Sequence, residues 1–172
     1  VNYEGQTYNT VLIGNQCWLK ENLNVGTRID GNGSQSNNGT IEKYCYNNIE
    51  DSCDVYGGLY QWDEMMQYTT DESTRGICPE HWHIPSMDEW EIMTNFLGGN
   101  TYAGGKLKEE GYDHWAQPNT SASNERNFTS LPAGYRAASN PYFGEVSYQA
   151  NYWTSNMAIA DKRWRRRHVH SS

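Results

Sequence analysis

The chain has 172 residues, 13 Lys and Arg against 21 Asp and Glu, and a formal net charge of −8 at pH 7. This length suits one domain, and an aromatic content of 13% excludes an intrinsically disordered chain. The negative charge disfavours binding to nucleic acid, and no apolar run is long enough to insert this domain into a membrane.

The predicted elements begin with a β-hairpin. Residues 7–13 and 16–19 are two short β patterns on either side of Gly14-Asn15, a dipeptide typical of tight turns. Residues 24–40 are rich in Gly, Asn and Ser, which predicts a long loop. An apolar run at residues 55–62 then leads into a short predicted helix.

The strongest helix signal follows Pro85. Ser86 and Glu89 have the spacing of a capping box, and Gly98 ends the pattern. Three apolar residues at helical spacing form one face, namely Trp90, Met93 and Leu97. Beyond this helix, short apolar islands alternate with Gly and Asn, so the chain is predicted to have few helices, many short strands and long polar loops.

The four cysteines predict two disulfides. No CxxC pair typical of zinc ligands occurs. Cys45 and Cys53 lie eight residues apart in a polar stretch that must turn back on itself, which favours a disulfide in an exported protein. By elimination, Cys17 and Cys78 form the second pair.

Residues 76–86 have the sequence GICPEHWHIPS. This block resembles the Fibrobacter succinogenes major paralogous domain family, whose members carry GxCPxGWHxPSxxEW. Five further blocks match the family in the same order, at residues 13–23, 56–62, 103–108, 127–136 and 152–155. The resemblance therefore covers nearly the whole chain.

The resemblance implies that residues 1–172 form a single α+β domain. Its fold would be C-type-lectin-like, related to formylglycine-generating enzymes, with few short helices, small twisted antiparallel sheets and long irregular loops. It would be extracellular or attached to a bacterial cell surface, as a secreted protein or a lipoprotein. Family members also occur among phage-associated and retroelement-diversified variable proteins.

One departure from the family pattern concerns the end of the chain. The family usually closes with a strand of the form GFSVRC, which does not occur before Ser172. The domain is therefore expected to lack its C-terminal strand. The cysteine of that strand offers Cys78 an alternative partner to Cys17, so both pairings stay open.

No catalytic set is predicted. Formylglycine-generating relatives use cysteines late in the chain, and none follows Cys78. Acidic pairs at residues 63–64, 88–91 and 109–110 could serve glycoside hydrolysis, but acids in the first turn of a helix also have a structural use. A glycan-processing or sulfatase-modifying type of enzyme is therefore the alternative hypothesis.

No metal site or cofactor is predicted, with calcium as the one candidate. His81 and His83 are two residues apart, but a structural role is favoured over metal binding. Residues 30–41 begin like an EF-hand loop and lack its glycine and its final glutamate. Gln117-Pro118-Asn119 is similar to the sugar-selecting tripeptide of calcium-dependent lectins, although the usual Trp-Asn-Asp companion is absent.

Five of the seven tryptophans lie in the family blocks and are predicted to be core residues. They are Trp18, Trp62, Trp82, Trp90 and Trp153. Trp115 and Trp164 are then the exposed candidates for ligand contact.

The most unusual segment is ADKRWRRRHVH at residues 160–170. As a strand it would direct Arg163, Arg165 and Arg167 to one side. The corresponding stretch varies among family members and forms the ligand-facing surface, which implies recognition of a protein or glycan. A solvated basic edge strand that blocks aggregation has equal weight.

We therefore predict a non-catalytic recognition module with a protein or glycan ligand on a cell surface. A third hypothesis is a structural subunit of a surface or virion assembly, which would self-associate tightly. The predicted ligand-binding residues are Tyr148, Asn151, Met157, Ile159, Asp161, Arg163, Arg165 and Arg167.

Overall fold

Short β patterns interrupted by Gly and Asn produce short strands in this protein. The computed structural model describes residues 1–138, 141–157 and 163–171. Within them, the strands are β1 (Asn2–Tyr3), β2 (Gln6–Thr7), β3 (Thr10–Ile13), β4 (Gln16–Leu19), β5 (Thr27–Arg28), β6 (Glu42–Lys43), β7 (Ala133–Arg136), β8 (Phe143–Val146), β9 (Gln149–Met157) and β10 (Arg163–Val169).

Across the described ranges these strands pair two by two into five sheets. The pairs β1–β2, β3–β4, β7–β8 and β9–β10 are antiparallel, and β5–β6 is parallel. The β3–β4 hairpin turns at Gly14-Asn15 as predicted, with Ile13 opposite Gln16. The α+β class with small antiparallel sheets is confirmed, with β5–β6 as the exception.

Four helices accompany the strands in the described part of the chain. They are α1 (Glu50–Tyr56), α2 (Trp62–Met65), α3 (Met87–Phe96) and α4 (Asn100–Leu107), and a 3-10 turn covers Tyr46–Asn48. Sequence patterns did not predict α4, because it contains Gly104 and Gly105, which disfavour a helix. A Cβ atom at Gly105 would collide with the backbone of Ser121, so packing requires glycine there.

The predicted capping box of α3 is present. The Oγ atom of Ser86 accepts a hydrogen bond from the amide of Glu89 at 3.3 Å. The Glu89 carboxylate in turn accepts one from the amide of Ser86 at 2.8 Å. Trp90 and Met93 are buried on the predicted apolar face, while Ile92 on the other face is 52% exposed.

Strand β9 separates two hydrophobic clusters. The first cluster contains Tyr8, Val25, Trp62, Met65, Met66, Ile77, Cys78 and Ile84. The second contains Ile13, Trp90, Met93, Leu97, Ala103, Leu107 and Phe128. Because neighbouring strand residues point to opposite faces, Trp153 packs against the first cluster and Tyr152 against the second.

No helix in the described ranges combines the length and the apolar character needed to cross a membrane. The longest of them, α3, has ten residues, whereas a membrane-spanning helix needs about 20.

One of the two predicted disulfides is present. Cys45 and Cys53 are bonded, with their Cα atoms 5.0 Å apart, because α1 carries Cys53 back toward the residue that precedes the 3-10 turn. The predicted Cys17–Cys78 disulfide is wrong, since both residues are free thiols. Cys17 is exposed on β4, whereas Cys78 is buried in the first cluster, and burial raises the pKa of its thiol to about 12.

Reduction of the Cys45–Cys53 disulfide is expected to lower the free energy of unfolding by about 2–4 kcal/mol, because the open loop regains conformational entropy in the unfolded chain. Melting curves with and without a reductant measure this effect. Cys17→Ser is the matched control, since Cys17 is exposed and unbonded. That variant should melt like the wild type and show the same response to reductant, and equal melting of reduced and oxidised wild type would contradict the prediction.

Candidate functional site

The β9–β10 hairpin carries the segment that the sequence singled out. The register places Arg165 opposite Trp153 and Arg167 opposite Asn151. Arg165 and Arg167 are exposed, whereas His168 is buried. The predicted strand alternation is therefore confirmed for these residues, and the two exposed arginines share one face of the hairpin with Trp153 and Asn151.

The other predicted ligand residues have different surroundings. Tyr148 and Met157 are 45% and 42% exposed, and the ring of Tyr148 lies edge-on to His170 at 5.0 Å. Arg163 pairs with Met157 at the start of β10, where only its backbone position is described. Two further predicted residues, Ile159 and Asp161, lie outside the described residues.

The opposite face of β10 contributes His168 to a buried polar cluster with Ser130 and Tyr152. The Nδ1 atom of His168 lies 3.1 Å from the Oγ atom of Ser130, which also accepts a hydrogen bond from the hydroxyl of Tyr152 at 2.8 Å. Burial is the main cause that lowers the pKa of His168 to about 3, and the positive charges of Arg166 and Lys108 contribute to the same shift. His168 is therefore a neutral core residue.

Trp115 belongs to the core, which corrects its prediction as an exposed ligand contact. Its ring is 1% exposed, and its Nε1 atom donates a hydrogen bond to the carbonyl of Ser130 at 2.9 Å. The ammonium group of Lys108 lies 5.5 Å from the ring centroid and donates to the carbonyls of Thr120 and Val169. A buried cation thus connects this tryptophan to the last strand.

The lectin-like tripeptide at residues 117–119 has a structural role in this chain. The side-chain amide of Asn119 is buried and donates hydrogen bonds to the carbonyls of Glu109 and Gly111 at 3.0 and 2.7 Å. It therefore holds a loop together. In the part of the chain that the structure describes, no three His, Cys, Asp or Glu side chains form a group that could hold a metal ion.

A cavity of about 910 Å³ lies beside the hairpin. Of the predicted ligand residues described with side chains, Asn151 and Arg165 line it, while Tyr148, Met157 and Arg167 do not. Cavities of about 300–1,000 Å³ are typical of small-molecule sites. Half-buried aromatic rings form much of its wall, including Trp18, Tyr60, Trp82, Tyr135, Tyr152 and Trp153.

A model of the Fibrobacter succinogenes major domain matches residues 11–171 of the chain. The chain belongs to this family. No curated protein and no solved structure matches it.

The blocks through which the chain resembles the Fibrobacter succinogenes major domain family meet at the cavity. Five of the six blocks line it, at residues 13–23, 56–62, 76–86, 127–136 and 152–155. Several lining residues lie outside these blocks, and they include Ala137, Ala138, Asn151 and Arg165. The family blocks thus build most of the wall, and residues outside these blocks complete it.

Hydrogen bonds fix the aromatic walls of this family domain. The Nε1 atom of Trp153 donates to the carbonyl of Tyr60 at 2.8 Å. The hydroxyl of Tyr60 accepts from the amide of Val25 at 2.9 Å and donates to its carbonyl at 2.8 Å. On the other side, the rings of Trp18 and Trp90 have centroids 4.8 Å apart. The wall is therefore preformed.

Two arginines of the cavity lining have no acidic partner among the described residues. Arg136 donates to the carbonyls of Gly31 and Gly33, and its guanidinium lies 4.5 Å from the ring centroid of Tyr44. Neither Arg136 nor Arg165 forms an ion pair with a described residue. The sequence patterns missed Arg136, although it is the lone charge in the block LPAGYR.

Two carboxylates line the cavity, and both are engaged. Glu21 accepts hydrogen bonds from the amide and the side chain of Asn9. Glu89 lies 2.7 Å from the His83 ring and accepts from the amide of Ser86. Burial raises the pKa of Glu89, but the hydrogen bonds of Ser86 and His83 outweigh burial and give a net lowering.

Buried polar atoms without a partner concentrate around the cavity. In the described part of the chain, eight buried side-chain nitrogen or oxygen atoms have no hydrogen-bond partner. Five of them belong to lining residues and are Gln16 Oε1, Trp18 Nε1, Trp90 Nε1, Arg136 Nη1 and Asn151 Oδ1. Each unpaired buried polar atom lowers the free energy of unfolding by about 1–3 kcal/mol. The polar atoms around the cavity therefore destabilise the folded protein.

Proposed function

We propose that this chain is a non-catalytic extracellular recognition module that binds its ligand in the aromatic cavity. The observation that carries the proposal is a preformed cavity of about 910 Å³ whose aromatic wall is accompanied by arginines without acidic partners among the described residues. Aromatic residues and arginine supply much of the energy of recognition sites. The ligand belongs to a protein or glycan on a cell surface.

Within the predicted ligand-binding face, we assign the main contacts to Asn151 and Arg165. Both line the cavity and lie outside the family blocks, so their replacement leaves those blocks unchanged. Tyr148 and Met157 surround this position on the hairpin as secondary contacts, whereas Arg167 lies outside the cavity lining and is left out of the proposed contacts.

The proposal includes a C-type-lectin-like fold and an extracellular location on a bacterial cell surface. The few short helices, two-stranded sheets and long loops support the former. The Cys45–Cys53 disulfide supports the latter, because disulfides persist in oxidising compartments.

The environment of the acidic pairs supports binding over glycoside hydrolysis. Glu64 is 1% exposed, and its carboxylate accepts hydrogen bonds from the amide of Glu42 and the hydroxyl of Tyr68. Glu89 caps α3. Carboxylates held in this way serve the fold, whereas a glycosidase needs two of them facing the scissile bond.

Blocking the cavity tests the proposal. Ala138 is exposed and lines the cavity, so Ala138→Trp adds a bulky side chain at its rim. We expect the wild type to bind at least one member of an array of cell-surface glycans and proteins. Ala138→Trp should weaken that binding by about tenfold or more, because loss of aromatic stacking in a cavity has effects of this size.

The matched control is Asn37→Trp, which adds the same side chain to an exposed loop outside the cavity lining. It should bind like the wild type. Equal binding by Ala138→Trp and the wild type, or no binding by the wild type to any array member, would overturn the proposed function. A specific turnover that disappears on replacement of a single carboxylate would show that the protein is an enzyme, and the proposed non-catalytic function would be wrong.

A further inference from the structure

The polar atoms around the cavity restrict the chemistry of its ligand. A purely apolar ligand would leave Gln16 Oε1, Trp18 Nε1 and Asn151 Oδ1 unpaired, as they are without it. A ligand with hydroxyl groups can pair with Gln16 Oε1 and Asn151 Oδ1 once these side chains rotate toward the cavity, because a hydroxyl both donates and accepts. The rotation exchanges the hydrogen bonds that their amide nitrogens now donate to the carbonyls of Glu89 and Gly134. The walls therefore favour a ligand that alternates apolar faces with hydroxyl groups.

A sugar ring has this alternation. Its C–H face would pack against aromatic rings of the lining such as Trp18 and Trp82, and its hydroxyls would meet side-chain amides of the same lining, those of Gln16 and Asn151. Stacking of the C–H face on an aromatic ring removes apolar area from water.

The charge around the cavity adds a second requirement. The chain carries a net charge of −8, yet the cavity lining contains Arg136 and Arg165 without an ion pair among the described residues. The two lining carboxylates, Glu21 and Glu89, already accept hydrogen bonds from neighbouring groups. A neutral sugar would leave both arginines without an anion, whereas a carboxylate or sulfate matches the guanidinium fork.

We propose that the cavity binds an anionic sugar, with its ring on the aromatic wall and its carboxylate or sulfate on Arg165. This inference rests on the proposed function and adds the class of ligand to it. Arg165 is exposed on the lining, so it reaches an incoming anion, whereas Arg136 is held by the carbonyls of Gly31 and Gly33 and supplies fixed positive charge.

The experiment compares three oligosaccharides of equal length by titration calorimetry, namely hexagalacturonate, a sulfated galactan hexasaccharide and neutral galactohexaose. We expect one of the anionic probes to bind at least about tenfold more tightly than the neutral one, since a charge-assisted hydrogen bond contributes discrimination of this order. The better of the two identifies the anion as carboxylate or sulfate. Its affinity should also fall as the salt concentration rises.

Arg165→Gln should reduce this preference by about tenfold, and Arg167→Gln provides the matched control. The control makes the same change of charge two residues along the same strand, at an exposed position outside the cavity lining, and should retain the preference within about twofold. If Arg165→Gln unfolds, Arg165→Lys keeps the charge and removes the fork, and it should lower the affinity in part.

The outcomes separate this inference from the proposed function. Equal affinity for the neutral and anionic probes, or an equal effect of the two glutamine variants, overturns the anionic-sugar assignment and leaves cavity recognition intact. A further outcome is binding of a protein ligand and of no saccharide, with Ala138→Trp abolishing that binding. This result likewise overturns the anionic-sugar assignment and leaves cavity recognition intact. If Ala138→Trp affects no binding at all, both the anionic-sugar assignment and the proposed recognition function are overturned.

Discussion

Replacement of Trp90 by alanine is expected to lower the free energy of unfolding by about 3–5 kcal/mol. The ring is 2% exposed and lies at the centre of an aromatic group. Its centroid is 4.8 Å from that of Trp18, 5.3 Å from Tyr152 and 6.3 Å from Phe128. Alanine would leave a cavity among rings that are fixed by other contacts and cannot collapse into it. Denaturant unfolding measures the change.

Ile92→Ala is the control for this variant, because Ile92 lies on the same helix, two residues from Trp90, and is 52% exposed. It should change stability by less than about 1 kcal/mol. A loss below about 1 kcal/mol for Trp90→Ala would contradict the assignment of Trp90 to the core. It would also favour direct contact of Trp90 with ligand, since this residue lines the cavity.

Acidification is expected to destabilise the protein through His168. Its pKa is about 3 in the folded protein, against 6.5 for the free side chain. The unfolded chain therefore binds more protons between these values, so stability falls as the pH falls from 6.5 and the loss is complete near pH 3. A shift of this size corresponds to roughly 4–5 kcal/mol. Unfolding titrations at a series of pH values measure the slope.

His168→Gln should flatten the profile between pH 6.5 and 4.5, because glutamine carries no titratable group and can still bond to Ser130. The ordinary pKa of a glutamate side chain is 4.5, and the pKa of Glu89 is lowered from it, so the stability that Glu89 contributes is lost only below this window. His170→Gln is the control, since it changes a half-buried histidine two residues away. An unchanged slope in His168→Gln would show that other groups carry the acid sensitivity.

Local patterns predicted the elements that depend on neighbouring residues. The β3–β4 hairpin follows from Gly14-Asn15 between two β patterns, and the start of α3 follows from the pairing of Ser86 with Glu89. The disulfide at Cys45 and Cys53 joins residues only eight positions apart. In each case the interacting groups are close in sequence, so the amino-acid pattern contains the interaction.

Predictions that depended on contacts between distant segments were wrong for Trp115 and for the Cys17–Cys78 pair. The position of Trp115 outside the family blocks predicted an exposed side chain, yet its ring is buried beside Ser130 and Lys108. Elimination pairs Cys17 with Cys78, yet one is exposed on β4 and the other lies in the first cluster. Neither environment is visible in a sequence window, because the groups that create it come from distant segments.

The sequence by itself determined the family, the α+β class, the strand alternation that exposes Arg165 and Arg167, and the buried face of α3. These features depend on residue order and on periodicities of about two or 3.6 residues. Only the tertiary structure decided that Asn151 and Arg165 share a cavity with Arg136 and five family blocks. The physical reason is that strand and helix patterns specify which face of an element is apolar, whereas the packing of all elements together specifies which faces meet and what space remains between them.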